Sequence, residues 1–296
     1  PYLHELHGGE IRWTRPASGL VTAVDPIMRA VGGTWIAHGS GSADRKVVDP
    51  HGRVMVPPGQ PRYALRRVWL TEEEERGYYY GFANETLWPL CHVVYVRPAF
   101  RRRDWEEYQA VNAHFCRAVL EEAPAKATVW VHDYHLALLP GMLKAARPDL
   151  TVAHFWHIPW PSSEVFRTCP WQRELLEGLL ANDVLGFHIR LHCDNFLDAV
   201  SRELEAHVDR ERSAVTYRGH TTLVRPFPIS VDTEQIGVEC RGEDVARAMV
   251  RLREQYGHVR EKIVIGLDRF DYTKGIPERL LAVDRFLTLY PEWHGR

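Results

Sequence analysis

Apolar positions recur along this chain at two periods, the helical and the extended, and the way they alternate divides it into parts. Over residues 18–30, Leu20, Val21, Val24, Ile27 and Met28 fall at helical spacing behind Ser18, a residue type that caps helices, and Gly32 with Gly33 ends the pattern. Residues 34–37 and 65–70 read as strands, and the stretch 39–62, rich in Gly, Pro, Ser and Asp, reads as loops with one weak strand at 54–56. Thr71 ahead of four glutamates marks a helix start, because the carboxylates lie where the helix dipole favours them. From residue 105 the alternation becomes regular: helices at 105–122, 136–146, 170–181 and 191–204 alternate with strands at 127–132, 151–158, 183–188 and 223–229. Strands separated by helices pair in parallel, since a parallel neighbour needs a long crossover to bring the chain back, so this pattern predicts a doubly wound α/β unit. A polar joint follows at 230–242; helix 243–256, strand 262–267 and helix 277–289 then begin a second α/β unit. The expected division is 1–235 and 236–296.

Length and charge narrow what such a chain does. Its 296 residues accommodate two units at roughly 100–200 residues each. Lys plus Arg number 37 against 39 Asp plus Glu, so there is no basic field for gripping nucleic acid, and any bound anion must sit in a local site. No run reaches the roughly 18–20 apolar residues of a membrane span, and the start lacks a signal-peptide pattern, so a cytoplasmic protein without membrane partners is expected. Cys91, Cys116, Cys169, Cys193 and Cys240 are scattered, which argues for buried free thiols rather than disulfides or a zinc site. Pro1 is not an initiator Met, and the last residues run on from a helical pattern, so both ends read as cut.

In open α/β sheets ligands bind beyond the carboxyl ends of the strands, and three turns there carry unusual chemistry. The first is Val131-His132-Asp133-Tyr134-His135-Leu136, where Asp133 either accepts from a substrate hydroxyl or caps the next helix. His132 and His135 lack a third ligand, so no metal is expected. The second runs from His154 through His157 to Ser162, with Pro159 and Pro161 fixing a rigid aromatic turn that holds His157 either toward a sugar or toward a backbone carbonyl. The third runs from Asp268 to Pro277. Arg269 and Lys274 there, with Gly275 ahead of a helix, make a cradle for a diphosphate, unless Asp268 and Asp271 neutralise the two cations. It is not a P-loop, and no dinucleotide fingerprint occurs. Residues 78–90 add Tyr78, Tyr79, Tyr80, Phe82 and Trp88, more aromatics than one helix face needs for burial.

Together these runs, with Ser18-Gly19-Leu20-Val21, Gly33-Thr34-Trp35, 84–90, Leu185-Gly186-Phe187-His188, Asn195-Phe196 and Phe227-Pro228-Ile229, resemble the trehalose-phosphate synthase family of retaining glycosyltransferases. The resemblance implies a GT-B fold of two Rossmann-like domains, with a strand before Pro1 and most of the second domain after Arg296 lying outside this chain, which alone would then be inactive. It implies transfer of glucose from a nucleotide-glucose, such as UDP-glucose, to glucose 6-phosphate, with no metal cofactor. Arg269 and Lys274 then resemble the pair holding the donor diphosphate, Gly19 the glycine that approaches the donor, and His157 the histidine beside the transferred sugar. Trp35, Tyr79, Trp88, Asp133 and Tyr134 fall at acceptor-binding positions, and Asp133 is not expected to act as a nucleophile. Ser18 replaces a usual glycine, and Trp156 and Trp160 replace plainer residues, which would reshape the acceptor pocket. Alternatives within this resemblance are another phosphorylated acceptor such as glycerol phosphate, a pseudo-glycosyltransferase, or a silent sugar-phosphate-binding regulatory protein. A homo-oligomer is left open.

Overall fold

The regular alternation after residue 105 is realised as a parallel sheet, and the irregular first third as two small sheets beside it. The structure is a computed structural model that describes residues 1–16, 18–94, 96–256 and 264–295. It divides into two units, Pro1–Pro228 and Ile229–Arg296. In the first, β1 (Leu3–His7) and β2 (Glu10–Thr14) form an antiparallel hairpin. The strands β3 (Thr34–His38), β4 (Arg53–Val56) and β5 (Tyr63–Val68) make a three-stranded sheet in which β5 is central, parallel to β3 and antiparallel to β4.

The main sheet holds β6 (Thr128–His132), β7 (Thr151–Phe155), β8 (Val184–Phe187), β9 (His207–Asp209), β10 (Ala214–Tyr217) and β11 (His220–Pro226) in the order β6-β7-β8-β11-β10-β9. Its first four strands are parallel and run one way, and β10 and β9 extend it antiparallel. The expected Rossmann-like parallel core is thus present in this sheet, while the earlier strands form a hairpin and a three-stranded sheet of their own.

Helix Arg102–Glu122 is the scaffold on which the site is hung. Its buried face carries Trp105, Tyr108, Val111, Asn112, Phe115 and Val119, and against it lies a π-helix, Arg76–Leu87. Thr71 starts that segment with a capping box: its hydroxyl accepts from the Glu74 amide and the Glu74 carboxylate accepts from the Thr71 amide. Gly77 and Gly81 allow the close approach of the two helices, since a Cβ there would lie 2.6 Å from Glu107 Cγ and 2.5 Å from Asp104 Cγ. Phe82 fills the seam, its ring 5.0 Å from Trp105 and 4.5 Å from Tyr108. Trp156 and Trp160 are fully buried and pack on each other; Trp160 also packs on Phe166 and Phe196, and Trp156 lies 6.2 Å from the Tyr134 ring, so both belong to the core behind the candidate site.

A buried ionic cluster locks the first hairpin to the small sheet. Asp44 accepts from Arg67 Nη2 at 2.8 Å, from the His4 amide at 2.9 Å and from the Gly41 amide at 2.9 Å, with His4 Nδ1 at 3.0 Å.

The second unit has helices Thr233–Glu239, Glu243–Tyr256 and Ile276–Leu289. The expected polar joint thus contains a helix, capped by Asp232 accepting from the Gln235 amide. Of the expected strand 262–267, residues 262 and 263 lie outside the described residues, and 264–267 form no strand. Val264, Ile265 and Leu267 are exposed, since an apolar strand needs neighbours to pair with and none is present among the described residues of this unit. Cys91, Cys116, Cys169 and Cys193 are buried free thiols, but Cys240 is exposed. Among the described residues no helix is long and apolar enough to cross a membrane.

Removing Asp44 strands the Arg67 guanidinium, which is 1% exposed. Asp44→Ala is expected to cost about 3–5 kcal/mol in the first unit. Urea unfolding followed by tryptophan fluorescence reads this unit, which holds nine of the ten tryptophans. A change below about 1 kcal/mol would show that the cluster is not a structural lock.

Candidate active site

The site is built where β6 and β7 end. Directly after β6, Asp133 has φ 69° and ψ 169°, a region open essentially to glycine alone, at a cost of about 1–3 kcal/mol. The surroundings enforce it: the Asp133 amide donates to Phe155 O at 2.8 Å, and its carbonyl accepts from His154 Nε2 at 3.0 Å. Asp133 Oδ1 accepts from the Tyr134 amide at 2.9 Å and the His157 amide at 3.2 Å, so one oxygen joins the turns after both strands. The other, Oδ2, has His135 Nδ1 at 3.9 Å, too far for a hydrogen bond. Both roles weighed for this residue are therefore open at once, one oxygen capping the turn and the other free to accept from a hydroxyl. Burial pushes the carboxyl up to about 7, against the lowering effect of the two amides.

The backbone after Asp133 is satisfied from helix Arg102–Glu122. Tyr108 donates its hydroxyl to Tyr134 O at 2.6 Å and accepts from the Ala137 amide at 3.0 Å; Asn112 donates to His135 O and accepts from the Leu138 and Leu139 amides. The π-helix adds side chains from the other direction. Bonding five residues apart places Tyr79 and Asn84 on successive turns of one side. Tyr79 stacks on His135 at 5.2 Å between ring centres, and Asn84 Oδ1 accepts from the Tyr134 hydroxyl at 2.9 Å. Trp88 lies 6.0 Å from the Tyr134 ring. A cleft of about 390 Å³, a size that suits a small ligand, is lined by His38, Ser40, Glu75, Tyr79 and His135 among others.

His157 is fixed on three sides. Its amide donates to Asp133, its carbonyl accepts from His188 Nε2 at 3.1 Å, and its Nε2 lies 3.1 Å from His132 Nδ1. Burial holds His157 down at about 3 and His132 at about 4, so both rings are neutral near pH 7.

The structure thus brings Asp133, Tyr134, His157, Tyr79 and Trp88 together. Tyr134 is buried with its hydroxyl given to Asn84. Trp35 packs on Tyr63 in the smaller core, and no hydrogen bond or ring contact links it to the Asp133 group among the described residues. Gly19 opens helix Gly19–Val31, and a Cβ there would meet nothing within 4 Å, so packing does not demand its lack of a side chain. In the second unit Arg269 and Lys274 are exposed, and neither forms an ion pair among the described residues. Asp268 is taken by Arg279 at 2.7 Å; Asp271 Oδ1 accepts from the Thr273 amide and hydroxyl, and against its partial burial these bonds and the charges of Arg269 and Lys274 hold the Asp271 carboxyl below its ordinary value, so the alternative that Asp271 partly offsets the two cations stays open. Lys274 and Gly275, the latter left-handed at φ 58°, stand directly ahead of helix Ile276–Leu289, whose free amides favour an anion. Sequence reasoning gave His132 and Asn84 no role in the site, because their partners are far away in the chain.

The glycosyltransferase family 20 model matches residues 4–296. The chain belongs to glycosyltransferase family 20. It is 39% identical over 289 residues to trehalose-6-phosphate synthase of Mycobacterium avium, covering 95% of this chain and 58% of that relative. A crystal structure of an α,α-trehalose-phosphate synthase (UDP-forming) from Burkholderia xenovorans in complex with glucose-6-phosphate superposes with a TM-score of 0.79 at 30% identity, covering 95% of this chain and 62% of that one. A trehalose-6-phosphate structure from E. coli bound with UDP-2-fluoro glucose gives 0.80 at 28% identity, covering 96% and 61%. The family 20 chain described here therefore spans about three fifths of the length of the proteins it matches, and its α/β fold is of the GT-B type.

The Asp133 carboxyl titrates higher in the folded protein than unfolded, so the folded state gains stability from its proton below about pH 4 and loses it as pH rises toward 7. Asp133→Asn removes that loss while keeping an oxygen for the two amides. Its melting temperature is expected to exceed the unsubstituted protein's by about 3 °C or more at pH 8 and by much less at pH 5. An equal difference at both pH values, measured by differential scanning fluorimetry, would contradict the raised carboxyl.

Proposed function

We propose that this chain carries the acceptor side, and the start of the donor side, of an α,α-trehalose-phosphate synthase that moves glucose from UDP-glucose to glucose 6-phosphate with retention, forming trehalose 6-phosphate. The observation that carries the reading is the exposed pair Arg269 and Lys274, in no ion pair among the described residues and with Lys274 directly ahead of a helix N-terminus, a chemistry that suits a diphosphate leaving group. The relatives named above, one in complex with glucose-6-phosphate and one with UDP-2-fluoro glucose, support the choice of substrates.

In this reading the bond from the anomeric carbon to the diphosphate breaks with its electrons going to the phosphate oxygen, and Arg269 and Lys274 stabilise the charge that develops there. The acceptor hydroxyl attacks on the same face, and the departing phosphate oxygen takes its proton. Asp133 Oδ2 accepts a hydrogen bond from a sugar hydroxyl and orients it; it forms no covalent bond. Tyr79 and Trp88 offer apolar faces to the acceptor ring. Gly19 leaves room beside the donor, and neutral His157 serves as a hydrogen-bonding group rather than an acid. Charge stabilisation from two cations asks for no metal, and a nucleotide-sugar substrate fits a cytoplasmic enzyme.

The full gene product, incubated with UDP-, ADP- or GDP-glucose and glucose 6-phosphate, should give a disaccharide phosphate by mass spectrometry with an α,α linkage by NMR. Arg269→Ala and Lys274→Ala should each lower kcat by about 100-fold or more with unchanged circular dichroism. No disaccharide phosphate with any donor, or rates equal to the unsubstituted protein in both variants, would overturn the reading.

A further inference from the structure

The histidines around the ends of β6, β7 and β8 obey one rule where their partners decide the tautomer. His154 Nε2 faces Asp133 O, and His188 Nε2 faces His157 O. A carbonyl only accepts, so each ring carries a proton on Nε2, and the buried Nδ1 of His154, which has no hydrogen-bond partner among the described residues, is a lone pair. The N–H is spent on an acceptor and the lone pair is the atom left over. This follows from cost, because an orphaned buried N–H is rarer in folded proteins than an under-used acceptor.

His132 and His157 face each other through Nδ1 and Nε2, and either could donate. If His157 donated, the proton of His132 would sit on its Nε2, which is buried with no partner among the described residues. That arrangement orphans an N–H; the reverse orphans only a lone pair. We propose that His132 is a positioning residue: its Nδ1–H donates to His157 Nε2, which fixes His157 as the Nδ1–H tautomer and turns that N–H toward substrate. The free nitrogen is the accessible one. His157 Nδ1 makes no hydrogen bond among the described residues and is not among the sealed atoms. A ring with a fixed donor there meets a sugar hydroxyl or phosphate oxygen as an acceptor without reorganising, the preorganisation on which transition-state stabilisation depends. Burial of His132 supports the assignment by keeping its ring neutral, so one proton only is available to it. The link to substrate rests on the glucosyl-transfer reading above; the tautomer does not.

Asn places its amide nitrogen where His has Nδ1, so His132→Asn keeps the donor, and His132→Leu removes it. In the [15N]histidine-labelled full gene product, with His157 identified by the signal lost in His157→Gln, the long-range 1H–15N pattern should show the Nδ1–H tautomer. The same pattern is expected in His132→Asn, with a shift toward Nε2–H in His132→Leu. His132→Leu should lower kcat/KM for the nucleotide-glucose by about 10- to 100-fold, while His132→Asn stays within about threefold. An Nε2–H pattern for His157 in the unsubstituted protein overturns the proposal whatever the activity, as does an unchanged kcat/KM in His132→Leu of an active enzyme. A protein that transfers no glucose yet shows Nδ1–H defeats the functional reading and leaves the tautomer assignment confirmed.

Discussion

One carboxylate oxygen ties together the turns that follow β6 and β7. Asp133 Oδ1 accepts the amides of Tyr134, its neighbour, and of His157, 24 positions on, and the backbone accepts a glycine-only conformation to place it there. Two costs are concentrated at this residue, backbone strain and a carboxyl held against its own burial. Neither helps the first unit fold. Both follow if the position of Oδ2, the oxygen left over, matters more than local stability, and this is the pattern in which strain marks function.

The remainder of the first unit can be understood as what makes those costs tolerable. Tyr108 and Asn112 satisfy the turn from below, through a helix anchored by Phe82 and Trp105. The π-helix reaches the same turn through Tyr79 and Asn84. Neutral histidines fill the strand ends, where charged side chains would need counterions. The second unit works by different physics. Arg269 and Lys274 are exposed, form no ion pair among the described residues, and have a helix end after Lys274 rather than a packed surround.

How much of this was legible in the sequence depended on the range of the interactions. Helices 105–122 and 243–256 and the strands around residues 128–132 and 184–187 carry local periodicity and were readable within a few residues. Asp133 and His157 were readable as candidates because both follow apolar strands, where α/β sheets bind ligands. The hairpin of β1 and β2 was missed although its signal is local: Gly8 and Gly9, both left-handed, link the two strands, and Ile11 and Trp13 alternate with polar residues in β2 on a face that stays exposed. The strands β9 and β10 are three and four residues long, too short for a period to show. The segment 264–267 reads as a strand by composition, but pairing is non-local and no neighbour is there among the described residues. Asn84 and His132 escaped for the same reason: each matters through one side-chain contact across 50 and 25 positions.

Since the account turns on Asp133, its carboxyl is the atom group to observe. In the full gene product labelled with [13C]aspartate, the 13Cγ resonance of Asp133, assigned by its loss in Asp133→Asn, is predicted to titrate with a midpoint near pH 7. A midpoint near the ordinary aspartate value of about 4 would contradict the account, because a freely solvated carboxylate could not be the strained, half-buried link between the two strand ends.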